Sequence, residues 1–143
     1  MATLKVEIVT PESALWVGEA KALVARSSDG DFTILPQHTE TVGDIVAGVV
    51  RVDTADGEIS FAVHGGFFQV GPDEAEGVTL ATVLAGVAEK TSDIDVARAQ
   101  VAKEVAETQI AVEMRNEQHD TASHLLAHAD LARAELRLRA ASK

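Results

Sequence analysis

The chain is predicted to be α+β, an antiparallel β-sandwich followed by an antiparallel two-helix hairpin, and three observations predict it. Up to about residue 90, short alternating apolar runs are separated by Gly, Pro, Asp and Ser; after Lys90 the apolar period lengthens toward a helical repeat; and one polar run, Asn116–Asp120, interrupts the helical part. Two domains are expected, a sandwich over residues 1–90 and a helical hairpin over 91–143.

Leu4, Val6 and Ile8 alternate with Lys5, Glu7 and Val9 before Pro11, the pattern of a half-buried strand. Ala20–Ala25 and Phe32–Leu35 flank Ser27-Ser-Asp-Gly-Asp31. Ile45–Asp53 and Glu58–Val63 flank Thr54-Ala-Asp-Gly57, where Asp56-Gly57 suits a tight hairpin. Phe67–Val70 and Val78–Leu84 flank Pro72-Asp-Glu-Ala-Glu-Gly77. Short strands with turn signals at this spacing build sandwiches or flattened barrels.

In the helical part, Ile94, Ala97, Val101, Val105, Thr108 and Val112 recur at intervals of 3, 4, 4, 3 and 4, which predicts the buried stripe of a first helix. Leu125, Ala129, Ala132, Leu136 and Ala140 predict the stripe of a second. Alanine and valine supply little burial per turn, since each methylene removed from water contributes only about 0.8 kcal/mol. The hairpin therefore reads either as a movable arm or as a permanently packed element. At its start, the Ser92 hydroxyl is expected to accept from a first-turn N–H, with Asp93 and Asp95 at the positive end of the helix dipole and Arg98 within reach of Asp95.

A formal charge of −11 excludes nucleic acid as an expected partner. The last thirteen residues reverse the sign, with four basic side chains against one acidic. There is no cysteine, hence no disulfide framework or thiol nucleophile, and no apolar run approaches the roughly 20 residues a spanning helix needs. With a strand-like run beginning at Leu4, no signal peptide is expected, and the chain reads as soluble and intracellular, without direct membrane insertion.

Five blocks occur in order: Val6-Glu-Ile-Val-Thr-Pro-Glu12, Asp29-Gly-Asp-Phe-Thr-Ile-Leu-Pro-Gln-His38, Gly48-Val-Val-Arg-Val52, Gly65-Gly-Phe67 and Asp93-Ile-Asp-Val-Ala-Arg-Ala99. In that order and spacing the chain, from residue 4 to about 110, resembles the epsilon subunit of the bacterial F-type ATP synthase. The resemblance implies a non-catalytic rotor subunit of the central stalk, with gamma, the c-ring and the alpha/beta catalytic head as partners. It implies coupling of proton-driven c-ring rotation to ATP synthesis, and restraint of ATP hydrolysis by mobile C-terminal helices. It further implies a peripheral location in the F1 sector, on the cytoplasmic face of the bacterial cell membrane, with no required cofactor.

On the same basis Asp29, Asp31 and His38 are expected in the c-ring or gamma contact. Arg133, Arg137 and Arg139 are expected to meet the catalytic head, where their charge would favour insertion beside an acidic segment. Related subunits that bind regulatory ATP carry Ile/Leu-Asp-x-x-Arg-Ala, matched by Ile94, Asp95, Arg98 and Ala99, with Glu89 on the adenine side and Arg133 and Arg137 from the second helix. Val105 stands where a further arginine is expected. Both readings of this stretch stay open, a helix cap alone or a cap that also holds ATP.

Other classes fit less of the sequence. Pro36-Gln-His-Thr-Glu40 has a cupin-like flavour but lacks the paired histidine. Asp120, His124 and His128 share a helical face without the Glu of a His-Glu-x-x-His zinc site. Gly43-Asp-Ile-Val-Ala-Gly48 has phosphate-loop glycine spacing but continues Val-Val instead of Lys-Ser/Thr. A free-standing sandwich and hairpin adaptor is the remaining alternative.

Overall fold

The computed structural model describes residues 2–115 and 121–141, so the Asn116–Asp120 connection lies outside the described residues. The chain divides into two compact units, Met1–Thr91 and Ser92–Lys143.

The first unit holds ten strands: β1 Thr3–Val9, β2 Ala14–Ala20, β3 Ala22–Ser27, β4 Gly30–Ile34, β5 Thr41–Ile45, β6 Gly48–Thr54, β7 Gly57–Val63, β8 Gly66–Pro72, β9 Val78–Ala85 and β10 Ala88–Lys90. They form two five-stranded sheets, β2-β1-β9-β8-β5 and β10-β7-β6-β3-β4. Pairing is antiparallel throughout with one departure, β1 against β9, which runs parallel from Thr3↔Val78 to Val9↔Leu84. The second unit contains a 3-10 turn at Thr91–Asp93, then α1 Val96–Arg115 and α2 Thr121–Ala141.

Strand boundaries differ from the sequence expectation in several places. The run Ala20–Ala25 spans two strands in different sheets, broken at Lys21, whose N–H donates to the Asp53 carbonyl at 2.7 Å. Ile45–Asp53 likewise belongs to β5 and β6, which change sheets across Val46-Ala47. β2 and β10 are additional strands.

Two hairpins share one local solution. In Ser27-Ser-Asp-Gly30 and Thr54-Ala-Asp-Gly57 the first hydroxyl donates to the glycine carbonyl, at 3.1 and 2.7 Å, and accepts from the aspartate N–H, at 3.2 Å in both. The closing glycines have φ of 123° and 128°, a region open to glycine and costly for other residues.

The inner faces of the sheets supply Leu4, Val6, Ile8, Leu23, Ile34, Val50, Val52, Phe61, Val63 and Val83, all fully buried. Two glycines make room for rings. A Cβ on Gly43 would lie 2.5 Å from Phe68, whose ring also meets Phe32 with centroids 4.4 Å apart; a Cβ on Gly18 would lie 2.9 Å from Trp16.

The hairpin packs differently from its predicted stripe. Val101, Val105 and Val112 are exposed, as are Ala97 and Thr108, and on α2 so are Leu125, Ala129 and Ala132. α1 and α2 pack on each other, and among the described residues the buried ones are Ala99 and Ala106 on α1 and Ala127, Ala134, Leu136 and Ala140 on α2. Alanines one heptad apart on each helix let the backbones approach closely, and the bulkier valines are left outside that seam.

Gly57→Ala tests the shared hairpin geometry. An added Cβ would meet nothing within 4 Å, so the cost comes from φ alone. The expected loss is about 1–3 kcal/mol, read as a lower denaturant midpoint at unchanged slope; an unchanged midpoint would show that the turn is not held in this conformation.

Candidate functional site

Three groups of residues carry the expected chemistry, and the fold places them apart. Asp29 lies in the β3–β4 turn and Asp31 at the start of β4, facing Arg26 across the hairpin, with Arg26 Nε 3.8 Å from Asp31 Oδ1. The turn is also tied to the opposite sheet. Ser28 N–H donates to Asp44 Oδ2 and Ser28 Oγ–H donates to Asp44 Oδ1, each at 3.1 Å.

His38 belongs to the loop after the other end of β4, where Ile34 pairs with Leu23, so it does not share a turn with Asp29 and Asp31. Its N–H donates to the Leu35 carbonyl at 3.1 Å, and its Nδ1 lies 2.8 Å from the Thr39 carbonyl, a geometry that places the ring proton on Nδ1. Gln37 adopts φ 68° and donates its N–H to Thr79 Oγ1 at 2.8 Å; Thr79 is only 8% exposed and anchors the loop to β9. His38 thereby lines an open cleft of about 750 Å³ with Glu40, Asp73 and Glu76, and among the described residues no Lys or Arg lines it. Sequence reading missed Thr79 because its partner is 42 positions away.

The third group lies at the hairpin start. The cap is Asp95, in place of the expected Ser92: Arg98 N–H donates to Asp95 Oδ1 at 3.0 Å and Ala99 N–H to the Asp95 carbonyl at 3.0 Å. Ser92 falls inside the preceding 3-10 turn, so α1 begins too late for its hydroxyl to cap the helix. Asp95 thus meets Arg98 through its backbone N–H. Ile94 and Ala99 are buried, and Val105 is 59% exposed.

An antiparallel hairpin brings the N-terminal turn of α1 to the same end as the C-terminal turns of α2, so Arg98 shares that end with Arg137 and Arg139. Arg133 is held in an ion pair with Asp130 one turn away on the same helix. Glu89 belongs to the sandwich unit, on β10 opposite Ala62. Helix position alone puts three arginines at that end, and a guanidinium has the charge and forked geometry for a phosphate. The Asp95 carboxylate, however, is engaged in capping.

Of the metal alternative, Asp120 and the side chain of His124 lie outside the described part, and His128 is exposed on α2. Among the described residues, no group of three or more His, Cys, Asp or Glu is placed to hold a metal ion. No helix among them is long and apolar enough to cross a membrane.

The sandwich matches the family model for the ATP synthase delta/epsilon chain beta-sandwich domain over residues 3–91. The chain is 36% identical to the ATP synthase epsilon chain of Halalkalibacterium halodurans over 142 residues, covering 99% of this chain and 94% of the relative. It is 39% identical to that of Alkalilimnicola ehrlichii over 137 residues, 95% and 91% of the two chains. With that of Alkalihalophilus pseudofirmus it shares 39% identity over 110 residues, 77% and 78% of the two. In fold it is similar to a chain of the Euglena gracilis mitochondrial ATP synthase OSCP/F1/c-ring assembly, with a TM-score of 0.76 at 21% identity, over 100% of this chain and 83% of that one.

Asp95→Ala is expected to remove about 1 kcal/mol from the first turn of α1, while Asp95→Asn, also a good cap, stays near the parent. Amide exchange at Arg98 reads the difference, and equal exchange in the alanine variant would show that the cap lies elsewhere.

Proposed function

The chain belongs to the ATP synthase epsilon family, and on that premise we propose that it joins gamma to the c-ring in the central stalk, transmits rotation toward ATP synthesis, and restrains ATP hydrolysis through its helical arm. The observation that carries the stalk contact is the outer face of the first sheet. Phe68 and Val70 turn into the core, so Phe67 points the other way and is 61% exposed. Register places Val9 beside Leu84 and Leu84 beside Phe67, an apolar row across β1, β9 and β8 that ends at Asp44 on β5, with Val42 and Val17 exposed on the flanking row.

A run of exposed apolar side chains on one sheet face marks a place where another protein docks. In this reading gamma covers the row, and Asp29 and Asp31 on the adjoining turn meet basic loops of the c-ring. His38, at the far end of β4, falls to the gamma contact. The subunit contributes no catalytic residue and is held at the cytoplasmic face of the bacterial membrane through these partners. Its need for both contacts distinguishes it from a free-standing adaptor or a cupin-like metal protein.

The arm has two apolar faces, the alanine seam and the exposed valines Val101, Val105 and Val112. That second face supports an element that can exchange partners. To Arg133, Arg137 and Arg139 we assign the contact with the catalytic head. Regulatory ATP is assigned to the hairpin end that Arg98 shares with Arg137, with Arg133 leaving Asp130 to join them.

Phe67→Asp places a charge in the apolar row without touching the core. It is expected to reduce co-purification with gamma by at least about tenfold, with the thermal midpoint little changed; undiminished co-purification would remove the sheet-face contact.

Charge reversal at Arg133 and Arg137 together is expected to raise ATP hydrolysis by the reconstituted complex several-fold and to abolish the heat of ATP binding in calorimetry. Unchanged hydrolysis would refute the head contact. No heat from the parent chain at millimolar ATP would refute the nucleotide site.

A further inference from the structure

The β3–β4 turn is only two residues long, yet it carries Asp29 and leads directly to Asp31. Its internal bonds, through Ser27 Oγ, fix the turn's shape and leave its direction on the sandwich undetermined. The equivalent turn at Thr54-Ala-Asp-Gly57 has the same internal bonds. What the β3–β4 turn has in addition is Asp44.

Asp44 lies on β5, an edge strand of the opposite sheet, sixteen positions from Ser28. Its two carboxylate oxygens accept separately from the backbone and the side chain of Ser28, at 3.1 Å each, so one group fixes the turn's direction as well as its distance. Two residues on, Val46 N–H donates to the Arg26 carbonyl at 3.0 Å, joining the same two segments by backbone. On its other side Asp44 is the register neighbour of Phe67, the exposed ring of the apolar row. Gly43, next in sequence, sits under the Phe68 ring, which leaves β5 little freedom to shift.

We propose that Asp44 is a positioning residue that locks the acidic turn to the apolar sheet face, so that the surface for gamma and the surface for the c-ring keep one fixed geometry. The inference rests on the assignment of Asp29 and Asp31 to the c-ring. A rotor subunit gripping two partners transmits torque only if the two grips do not pivot against each other. The clamp adds stiffness to the Val46–Arg26 backbone bond across the gap between the sheets, where no strand ladder exists.

Asp44→Ala, Asp44→Asn and Ser28→Ala in the full chain test it, with amide exchange at Ser28 and binding to a gamma and c-ring assembly as readouts. Asp44→Ala should weaken binding by about tenfold or more and raise Ser28 exchange by a similar factor. Asn can accept from Ser28 N–H and donate to Ser28 Oγ, so Asp44→Asn should restore both to near the parent values. Ser28→Ala, which removes one bond of the two, should give a partial loss and serves where Asp44→Ala fails to fold.

Parent-like binding and exchange in Asp44→Ala would overturn the proposal. So would a loss in Asp44→Asn equal to that in Asp44→Ala, because charge and not the clamp would then be acting. If Asp29→Asn with Asp31→Asn binds like the parent, the c-ring assignment itself is wrong, and Ser28 exchange in Asp44→Ala still decides whether the clamp holds the turn.

Discussion

The pairing of β1 with β9 is the constraint on which the sandwich depends. It joins residues 3–9 to 78–84 in parallel, so the β1-β2 pair is laid against strands that come from later in the chain. Leu4, Val6 and Ile8 then face inward beside Ala81 and Val83, and all five are fully buried. Such a contact must repay the entropy of closing a long loop, and it does so with a whole apolar face and not with one residue. Without it, the sheet would divide into the β1-β2 pair on one side and β9-β8-β5 on the other.

With this strand seated, the outer face is fixed as well. Because side chains alternate across a strand, every inward residue forces its neighbour outward. Burial of Phe68 and Val83 therefore dictates exposure of Phe67 and Leu84, and strand register aligns them with Val9. The proposed docking row is a consequence of the core placement combined with the choice of apolar side chains at outward positions. Those choices add nothing to the core. Their presence is informative because a solvent-facing strand could carry threonine or lysine there at no cost to stability.

The same logic explains what was legible in the sequence. β1 could be read because Leu4, Val6 and Ile8 are the apolar half of a regular alternation. β2 was obscured because Gly18 occupies an inward position and the ring of Trp16 covers the space its side chain would fill. β5 was harder still: its inward position 43 is glycine beneath Phe68, while the exposed Val42 makes the apparent apolar beat fall on the wrong face. The acidic turn could be found from Asp-Gly spacing. The bonds that orient it and the His38 loop could not, since Ser28 with Asp44 and Gln37 with Thr79 are contacts between sheets or between loop and strand that no local pattern encodes.

In the helical unit the reading failed for an energetic reason. Valine outweighs alanine in any count of apolar period, so Val101, Val105 and Val112 looked like the core stripe, yet α1 meets α2 through Ala99 and Ala106. An alanine contributes one methyl group, about 0.8 kcal/mol when buried, whereas ordering each helical residue costs about 1–2 kcal/mol of backbone entropy. Intrahelical hydrogen bonds and alanine's high propensity offset much of that cost, but the seam itself supplies little surplus. A partner that covers the valine face would therefore stabilise the hairpin in proportion to how tightly it binds, and folding of the arm and its docking become linked equilibria. In the proposed function, an arm so constructed has no strong intrinsic preference to resist being moved from one surface to another. Its position is then decided by the difference in affinity between those surfaces.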